Sequence, residues 1–267
     1  MKIYYQWVPG AYSHIVSNHY KDTLWLSESI WVDSFIDIFN YINKGDLWLI
    51  PIENSYAGSI YENFTNLVKN NVKIYSEYFL DIQHSLVAKT DNINNIDKVM
   101  SHYQALMQCE NYIKLKWWEE EICLDTAYSA KYISENWDMN TAWICSKLAW
   151  EIYSLNILDE NIQDQLDNTT RFFLVAKDGF EFNLSKSKKT SLIFRTKHIP
   201  ASLYKCLWVF ATRNINLTKI ESLPSKDTCF EYMFWIDFDA STEDDYVKEA
   251  LDELSYFTNY IRVLWAY

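Results

Sequence analysis

Asn168-Thr169-Thr170-Arg171-Phe172-Phe173-Leu174-Val175 sets polar side chains and a guanidinium directly ahead of an apolar strand. Polar before and apolar after suits the wall of a cleft. Thr170 beside Arg171 can hold an anion and offer a hydrogen bond to a departing oxygen. The tripeptide Thr170-Arg171-Phe172 is weak by itself, because an arginine there is as readily a surface or ion-paired residue. Two other unusual segments stand at compatible places: Pro51-Ile52-Glu53-Asn54-Ser55 upstream, and Ile215-Asn216-Leu217-Thr218-Lys219-Ile220-Glu221-Ser222 downstream.

Upstream of that strand the chain alternates strand and helix. Lys2–Tyr5 reads as a strand, Pro9-Gly10-Ala11-Tyr12-Ser13 as the turn into a helix, and Asp33 as the cap of a helix with Phe35, Ile38, Phe39 and Ile42 at helical spacing. Leu47–Ile52 is a short apolar strand, and Ile60, Phe64, Leu67 and Val68 mark another helix. Ile122–Leu124 and Ala142–Cys145 are strands, followed by helices over Thr126–Glu135 and to about Tyr153. This rhythm predicts an α/β fold with parallel or mixed sheets covered by helices.

Downstream the rhythm changes. Asp178 to Lys189 is polar and reads as a linker, so two domains are expected, 1–180 and 190–267. In the second, Thr190–Arg195 is a strand and Pro200 opens a helix with Leu203, Leu207, Phe210 and Ala211 on one face. Ile215–Ile220 is a strand, and Phe230, Tyr232, Phe234, Ile236 and Phe238 alternate as a half-buried strand should. Thr242 with Asp245 has the form of a capping box, and Tyr260–Leu264 is the last strand. The order βαββαβ is the split, ferredoxin-like motif.

Composition excludes several classes of function. A formal charge of -12 argues against nucleic acid and against anionic membrane surfaces. Cys109, Cys123, Cys145, Cys206 and Cys229 form no CxxC pair and no zinc-spaced cluster, so they read as reduced thiols and no metal is expected. Met1–Gly10 lacks the basic-then-apolar pattern of a signal peptide and no apolar run reaches membrane-spanning length, so a cytoplasmic location is expected.

Tryptophan and glycine are out of proportion, at 12 and 4. Ordinary usage would give roughly 19 glycines, a number the two counts together approach. Trp7, Trp48 and Trp265 stand where turns want glycine, and the family resemblance carried by other segments implies small residues at Trp150 and Trp208. A large indole needs a site of its own, which turns do not offer. The reading is that many of these are glycines encoded by a recoded UGA codon.

The polar segments lie at strand ends, where ligands bind in α/β folds. They are Glu53-Asn54-Ser55, then Ser101-His102 with Gln104 to Cys109, and then Asp125-Thr126-Ala127. Singly, each is as readily a helix cap or a satisfied structural residue. No Ser/His/Asp ordering, phosphate-cradling glycine loop or metal constellation is visible, so the chemistry to look for is positioning and hydrogen bonding.

Taken jointly, these segments resemble monofunctional prephenate dehydratase, with no helical chorismate mutase segment expected ahead of the first strand. The resemblance rests on Pro51-Ile52-Glu53-Asn54-Ser55 with Gly58-Ser59, Ser101-His102 with Gln104-Ala105-Leu106 and Gln108-Cys109, Asp125-Thr126-Ala127, Ile162-Gln163-Asp164 and Asn168 to Phe172. The downstream Ile215 to Ser222 with Pro224 resembles an ACT regulatory domain. The implied fold is a two-lobed catalytic domain like a type II periplasmic binding protein, followed by the ferredoxin-like ACT domain. The implied reaction turns prephenate into phenylpyruvate, carbon dioxide and water without a cofactor. Thr170 would polarise the leaving hydroxyl, and Arg171 would bind a substrate carboxylate. Asn54, Ser55, Ser101, Gln108, Thr126 and Phe172 would fix the ring and side chain. Arogenate dehydratase, and a silent amino-acid sensor on the same lobes, are the competing readings.

The resemblance also implies a phenylalanine site at Ala201, Ser202, Leu203, Glu221, Ser222, Leu223 and Pro224, and a homodimer or dimer of dimers. Here the chain departs from the family. Leu223 replaces the arginine of Glu-Ser-Arg-Pro, Ala201-Ser202-Leu203 replaces Gly-Ala-Leu, Tyr103 replaces a proline, and Asn214 replaces a glycine. Weak phenylalanine control is therefore expected, with catalysis intact.

Overall fold

The computed structural model describes residues 1–34, 38–39, 46–70, 72–123, 138–177, 180, 189–224 and 232–266. The helix expected over Thr126–Glu135 and most of the one expected after Asp33 lie outside them. They group into two compact units, 1–63 with 77–175, and 64–76 with 176–267.

The first unit holds two mixed sheets. β1 (Lys2–Gln6) lies between β2 (Glu28–Val32) and β3 (Leu47–Asn54), parallel to both. β11 (Thr169–Ala176) runs antiparallel to β3 and is followed across the sheet by β5 (Lys73–Asp81), while the short β4 (Gly58–Ser59) pairs with the end of β3 and is followed in the chain by α2 (Tyr61–Lys69). The second sheet has the order β10 (Asn156–Glu160), β6 (Ser85–Ala88), β9 (Thr141–Cys145), β7 (Lys98–His102), β8 (Glu119–Cys123). Leu47–Ile52, Phe172–Ala176 and Thr141–Cys145 are buried residue after residue, as strands covered on both faces must be. The edge strand β8 instead carries Glu119, Glu120 and Glu121, all exposed, which blunts it against pairing with another chain.

The chain passes from the first sheet to the second at Ile82-Gln83-His84 and returns through 161–168. The two crossovers are tied together. Ile82 N–H donates to Asn168 O at 2.7 Å and Ile162 N–H to His84 O at 3.1 Å. The first unit is thus a mixed α/β arrangement of two sheets joined by a double crossover.

A second tie comes from the turn between β1 and α1 (Tyr12–Thr23), which packs on α5 (Lys147–Tyr153) of the other lobe. Ser146 Oγ donates to Gly10 O at 2.6 Å and Tyr153 Oη to Pro9 O at 2.8 Å. Gly10 has φ +95°, and a Cβ there would meet Ala149 Cα at 2.8 Å, so both conformation and space require glycine.

The second unit has the βαββαβ order. β12 (Thr190–Thr196), α6 (Ser202–Ala211), β13 (Leu217–Pro224), β14 (Tyr232–Phe238), α7 (Asp245–Phe257) and β15 (Thr258–Ala266) follow in the chain. The antiparallel sheet runs β13-β14-β12-β15, the ferredoxin-like order.

Three local expectations differ here. The buried stripe of α6 is Ser202, Cys206, Val209 and Phe210, with Leu203 and Leu207 only half-buried and Ala211 exposed. Both stripes satisfy the helical period, and the polar Ser202 hid the correct one. β14 is buried on both faces toward its end. Trp235 meets Phe64 edge-on at 4.8 Å and donates its indole N–H to Asp237 Oδ1 at 2.7 Å, so the second face is covered by the segment 64–76. α7 is capped at Asp244, not at Thr242, and the Asp244 carboxylate accepts the Ser241 N–H at 3.1 Å. Asn214 has φ +55°, the left-handed conformation that asparagine tolerates. No helix among the described residues is long and apolar enough to cross a membrane.

Candidate active site

A cavity of about 320 Å³ opens within the first unit, lined by residues that include Trp7, Asn54, His84, Gln108, Thr170 and Phe172. A larger one of about 510 Å³ shares Ala57, Gln104 and Gln108 but not Thr170. The smaller cavity is the one on which the chemically useful groups converge.

Its wall is the register pair Thr170–Asn54, at the start of β11 and the end of β3. Asn54 Oδ1 accepts the N–H groups of Tyr56 at 3.0 Å and Ala57 at 2.9 Å, which locks the carboxamide in an Asx-type turn. The amide nitrogen therefore faces the other way, donating to Asn168 Oδ1 at 2.7 Å and to Thr170 Oγ1 at 3.0 Å. Thr170 receives a hydrogen bond on its oxygen, and its own proton is left for the cavity. A hydroxyl polarised in this way is a better donor.

The alternation of β11 puts Thr170 and Phe172 on the cavity side and Arg171 on the other. Arg171 is 4% exposed. Its Nε donates to Glu77 Oε2 at 2.8 Å, and its two terminal nitrogens pair with Glu77 at 2.7 Å and Glu53 at 3.1 Å. The guanidinium also lies 4.6 Å over the ring of Phe173. The expectation that Arg171 binds a substrate carboxylate is corrected by this geometry: the side chain is committed to two carboxylates and does not line the cavity.

Ser55 and Ser101 also stand apart from the cavity lining. Ser55 is exposed and braces the turn, accepting the Thr169 N–H at 3.0 Å and donating to Asp167 O at 3.3 Å. Ser101 is fully buried and donates to Ile144 O at 2.7 Å, a bond between neighbouring strands. Gln108, the last residue of α3 (Tyr103–Gln108), and Phe172 do line the cavity. Thr126 lies outside the described residues.

Sequence reasoning passed over His84. It is 2% exposed and sits on the first crossover, with its backbone N–H donating to Gln163 Oε1 at 2.9 Å. Its Nδ1 lies 2.8 Å from the Tyr12 hydroxyl and its Nε2 2.8 Å from Gln108 Oε1. Burial pushes its pKa down to about 4, so the ring is neutral at ordinary pH. No lysine or arginine is among the described residues lining the cavity, so an anion there meets neutral donors.

The positions expected to bind phenylalanine belong to the second unit. Ala201 takes φ +58° just before α6, a conformation that glycine adopts more readily than alanine. Leu223 is buried in β13 opposite Met233, and Glu221 pairs with Lys219 at 3.6 Å.

A model of the prephenate dehydratase family matches residues 3–179. The chain belongs to that family. It is 38% identical over 262 residues to the prephenate dehydratase of Methanocaldococcus jannaschii, covering 97% of this chain and 94% of that one. It is 36% identical over 279 residues to arogenate dehydratase/prephenate dehydratase 2 of Arabidopsis thaliana, covering 100% of this chain and 72% of the relative. The solved prephenate dehydratase of Arthrobacter aurescens, a complex with L-Phe, has a TM-score of 0.88 at 26% identity, covering 98% of this chain and 88% of that one.

Proposed function

We propose that the chain converts prephenate to phenylpyruvate, with Thr170 as the residue that assists the leaving hydroxyl. The observation that carries this is the hydrogen bond from Asn54 Nδ2 to Thr170 Oγ1 at the wall of the cavity. In the reaction the ring carboxylate leaves as carbon dioxide, its electron pair enters the ring, and hydroxide departs from the opposite carbon. One proton is taken up as hydroxide becomes water. Aromatisation drives the step, so the protein has to align the two departing groups and stabilise the negative charge building on one oxygen. Thr170 donates to that oxygen while Asn54 supports the charge shifted onto the threonine. Phe172, Pro51, Ile60 and Ile82 offer the ring an apolar bed. Hydrogen-bond donors, rather than a guanidinium, meet the substrate's carboxylates. The test is the appearance of phenylpyruvate from prephenate with purified protein, with Thr170→Ala as control and arogenate run beside it. The Arabidopsis relative carries both activities in its name, and the ratio of the two rates decides which substrate is preferred.

Residues 190–267 are proposed to be an ACT regulatory domain responding to phenylalanine. The βαββαβ order with its antiparallel sheet supports this, as does the L-Phe complex of the Arthrobacter relative. Replacement of arginine by Leu223 and of glycine by Ala201 argues for weak control. Pairing of two such domains side by side would give a dimer. The buried thiols Cys109, Cys145 and Cys206 suit a reducing cytoplasm.

A further inference from the structure

Resting on the reading of this cavity as the prephenate site, we propose that His84, anchored by Tyr12, is a positioning residue. It holds the Gln108 carboxamide with its oxygen toward the cavity, to accept the hydrogen of the substrate's leaving hydroxyl.

The Tyr12 hydroxyl lies 2.7 Å from Gln83 O and 2.8 Å from His84 Nδ1. A backbone carbonyl only accepts, so the single Tyr12 proton goes to Gln83 O. His84 Nδ1 must then donate to the Tyr12 oxygen. The Gln108 atom placed 2.8 Å from His84 Nε2 is the carbonyl oxygen Oε1, and the protons decide whether that orientation stands. A carboxamide exchanges oxygen for nitrogen by a half-turn of its last bond, so its partner decides which atom faces the ring. With oxygen facing Nε2, both ring nitrogens would carry protons, and a positive charge would sit on a side chain that is 2% exposed. Burial disfavours that charge. The neutral ring leaves Nε2 as an acceptor, and the Gln108 amide nitrogen donates to it. The chain of hydrogen bonds then runs one way, from Gln108 through His84 and Tyr12 to Gln83 O.

This polarity has a chemical consequence. Prephenate carries two carboxylates, a ketone and a hydroxyl, and the hydroxyl is its one donor. An acceptor in the cavity selects it. When that hydroxyl donates to Gln108 Oε1, its lone pairs are turned away from Gln108 and are free to accept from Thr170. The leaving oxygen is thus oriented before the bond breaks.

The experiment is a long-range proton–nitrogen correlation spectrum of protein labelled with 15N-histidine at neutral pH, with His84 assigned by the signal lost in His84→Asn. The expected result is a proton on Nδ1 and a bare, hydrogen-bonded Nε2. A proton on Nε2 overturns the proposal whether or not the protein turns over prephenate. Tyr12→Phe gives the second readout. A fall in kcat of roughly tenfold, the loss of one such contact, is expected with KM and Tm nearly unchanged, and an unaltered kcat overturns the role. A parent protein that ignores prephenate sinks the functional reading, while the tautomer is read independently.

A different observation carries a second inference, concerning tryptophan. Trp7, Trp25 and Trp117 have φ of +78°, +53° and +60°. Trp25 and Trp117 are 93% and 92% exposed, so no packing holds them there. Trp25 follows the cap of α1, with Trp25 N–H to Asp22 O at 3.5 Å and Leu26 N–H to Lys21 O at 2.8 Å, the bond pattern in which glycine ordinarily ends a helix. Trp117 is the left-handed cap of α4 (Glu110–Lys116). Trp48 and Trp265 lie inside β3 and β15 and not in the turns expected for them, and with Trp150 they bury an indole nitrogen without a hydrogen-bond partner, unlike Trp235. Trp208 is half-exposed, stacks on Tyr204 and bears neither mark.

We infer that positions 7, 25 and 117 are glycine in the working protein, through a UGA codon read as glycine. Trp7 lines the cavity, so glycine there widens the site. Peptide masses from cells that naturally make the protein decide it: glycine is expected at all three positions, and tryptophan overturns the inference. A recombinant triple glycine variant is expected to melt higher than the tryptophan chain, and a lower Tm counts against it.

Discussion

Asn54 Nδ2 lies 3.0 Å from Thr170 Oγ1 across a β3–β11 register pair, and the hydrogen runs from amide to hydroxyl. The direction is fixed because Asn54 Oδ1 is already occupied by two backbone N–H groups. Thr170 accepts there and keeps its proton for the cavity, which suits it to donate to a leaving oxygen.

Thr170→Ala is expected to lower kcat by about 10²- to 10³-fold, the usual loss for one donor to a developing oxyanion. KM and Tm should stay close to the parent values. Thr170→Ser should recover much of the rate, because it keeps the hydroxyl. Steady-state kinetics of the two variants check both statements.

Arg171→Met should act on stability before activity. Removing the cation takes from Glu53 and Glu77 the guanidinium they share, and loss of one partner of a buried ion pair costs about 3–5 kcal/mol. Urea unfolding measures it. A raised KM at unchanged stability would instead return Arg171 to the substrate.

His84 makes stability depend on pH. The unfolded histidine takes its proton near pH 6.5, and the folded one, buried, only near 4. Between those values the unfolded chain binds more protons, so stability falls as pH is lowered from 6.5 to 4. The size is on the order of 3 kcal/mol. Comparing urea midpoints at the two ends of that window should show a flatter response in His84→Gln than in the parent.

Gly10→Ala tests the tie between the lobes. The added methyl meets Ala149 Cα at 2.8 Å from a backbone at φ +95°. A loss of roughly 1–3 kcal/mol is expected. Activity should fall with it, since Trp7 and Tyr12 on either side of this turn line the cavity.

Phenylalanine should change turnover little. Leu223 is tucked into β13 and offers no hydrogen bond to an amino acid, and Ala201 has to adopt a glycine conformation. Assays with and without phenylalanine check this, and strong inhibition would show that both replacements are tolerated.

Much of this was legible in the sequence. The apolar runs of β3, β9 and β11 read correctly because strands covered on both faces cannot hide their composition. Asn54, Gln108, Thr170 and Phe172 were placed in one site by motif, and they line one cavity. Arg171 was misjudged, although the strand period carried the warning: Thr170 and Phe172 on the cavity side leave Arg171 on the reverse. Its carboxylate partners, Glu53 and Glu77, are distant in the chain, so nothing local announced them. Ser101 looked like a ligand because it ends a strand, yet its hydroxyl was needed to satisfy Ile144 O. His84 gave no signal, since a lone histidine on a crossover gains meaning only when Tyr12 and Gln108 arrive from separate elements.

Ile82 and Ile162, whose amides stitch one crossover to the other, make the joint between the lobes a double-stranded ribbon instead of two loose threads. Asn54 and Thr170 belong to adjacent strands of one sheet, so the hydrogen bond between them depends on neither crossover.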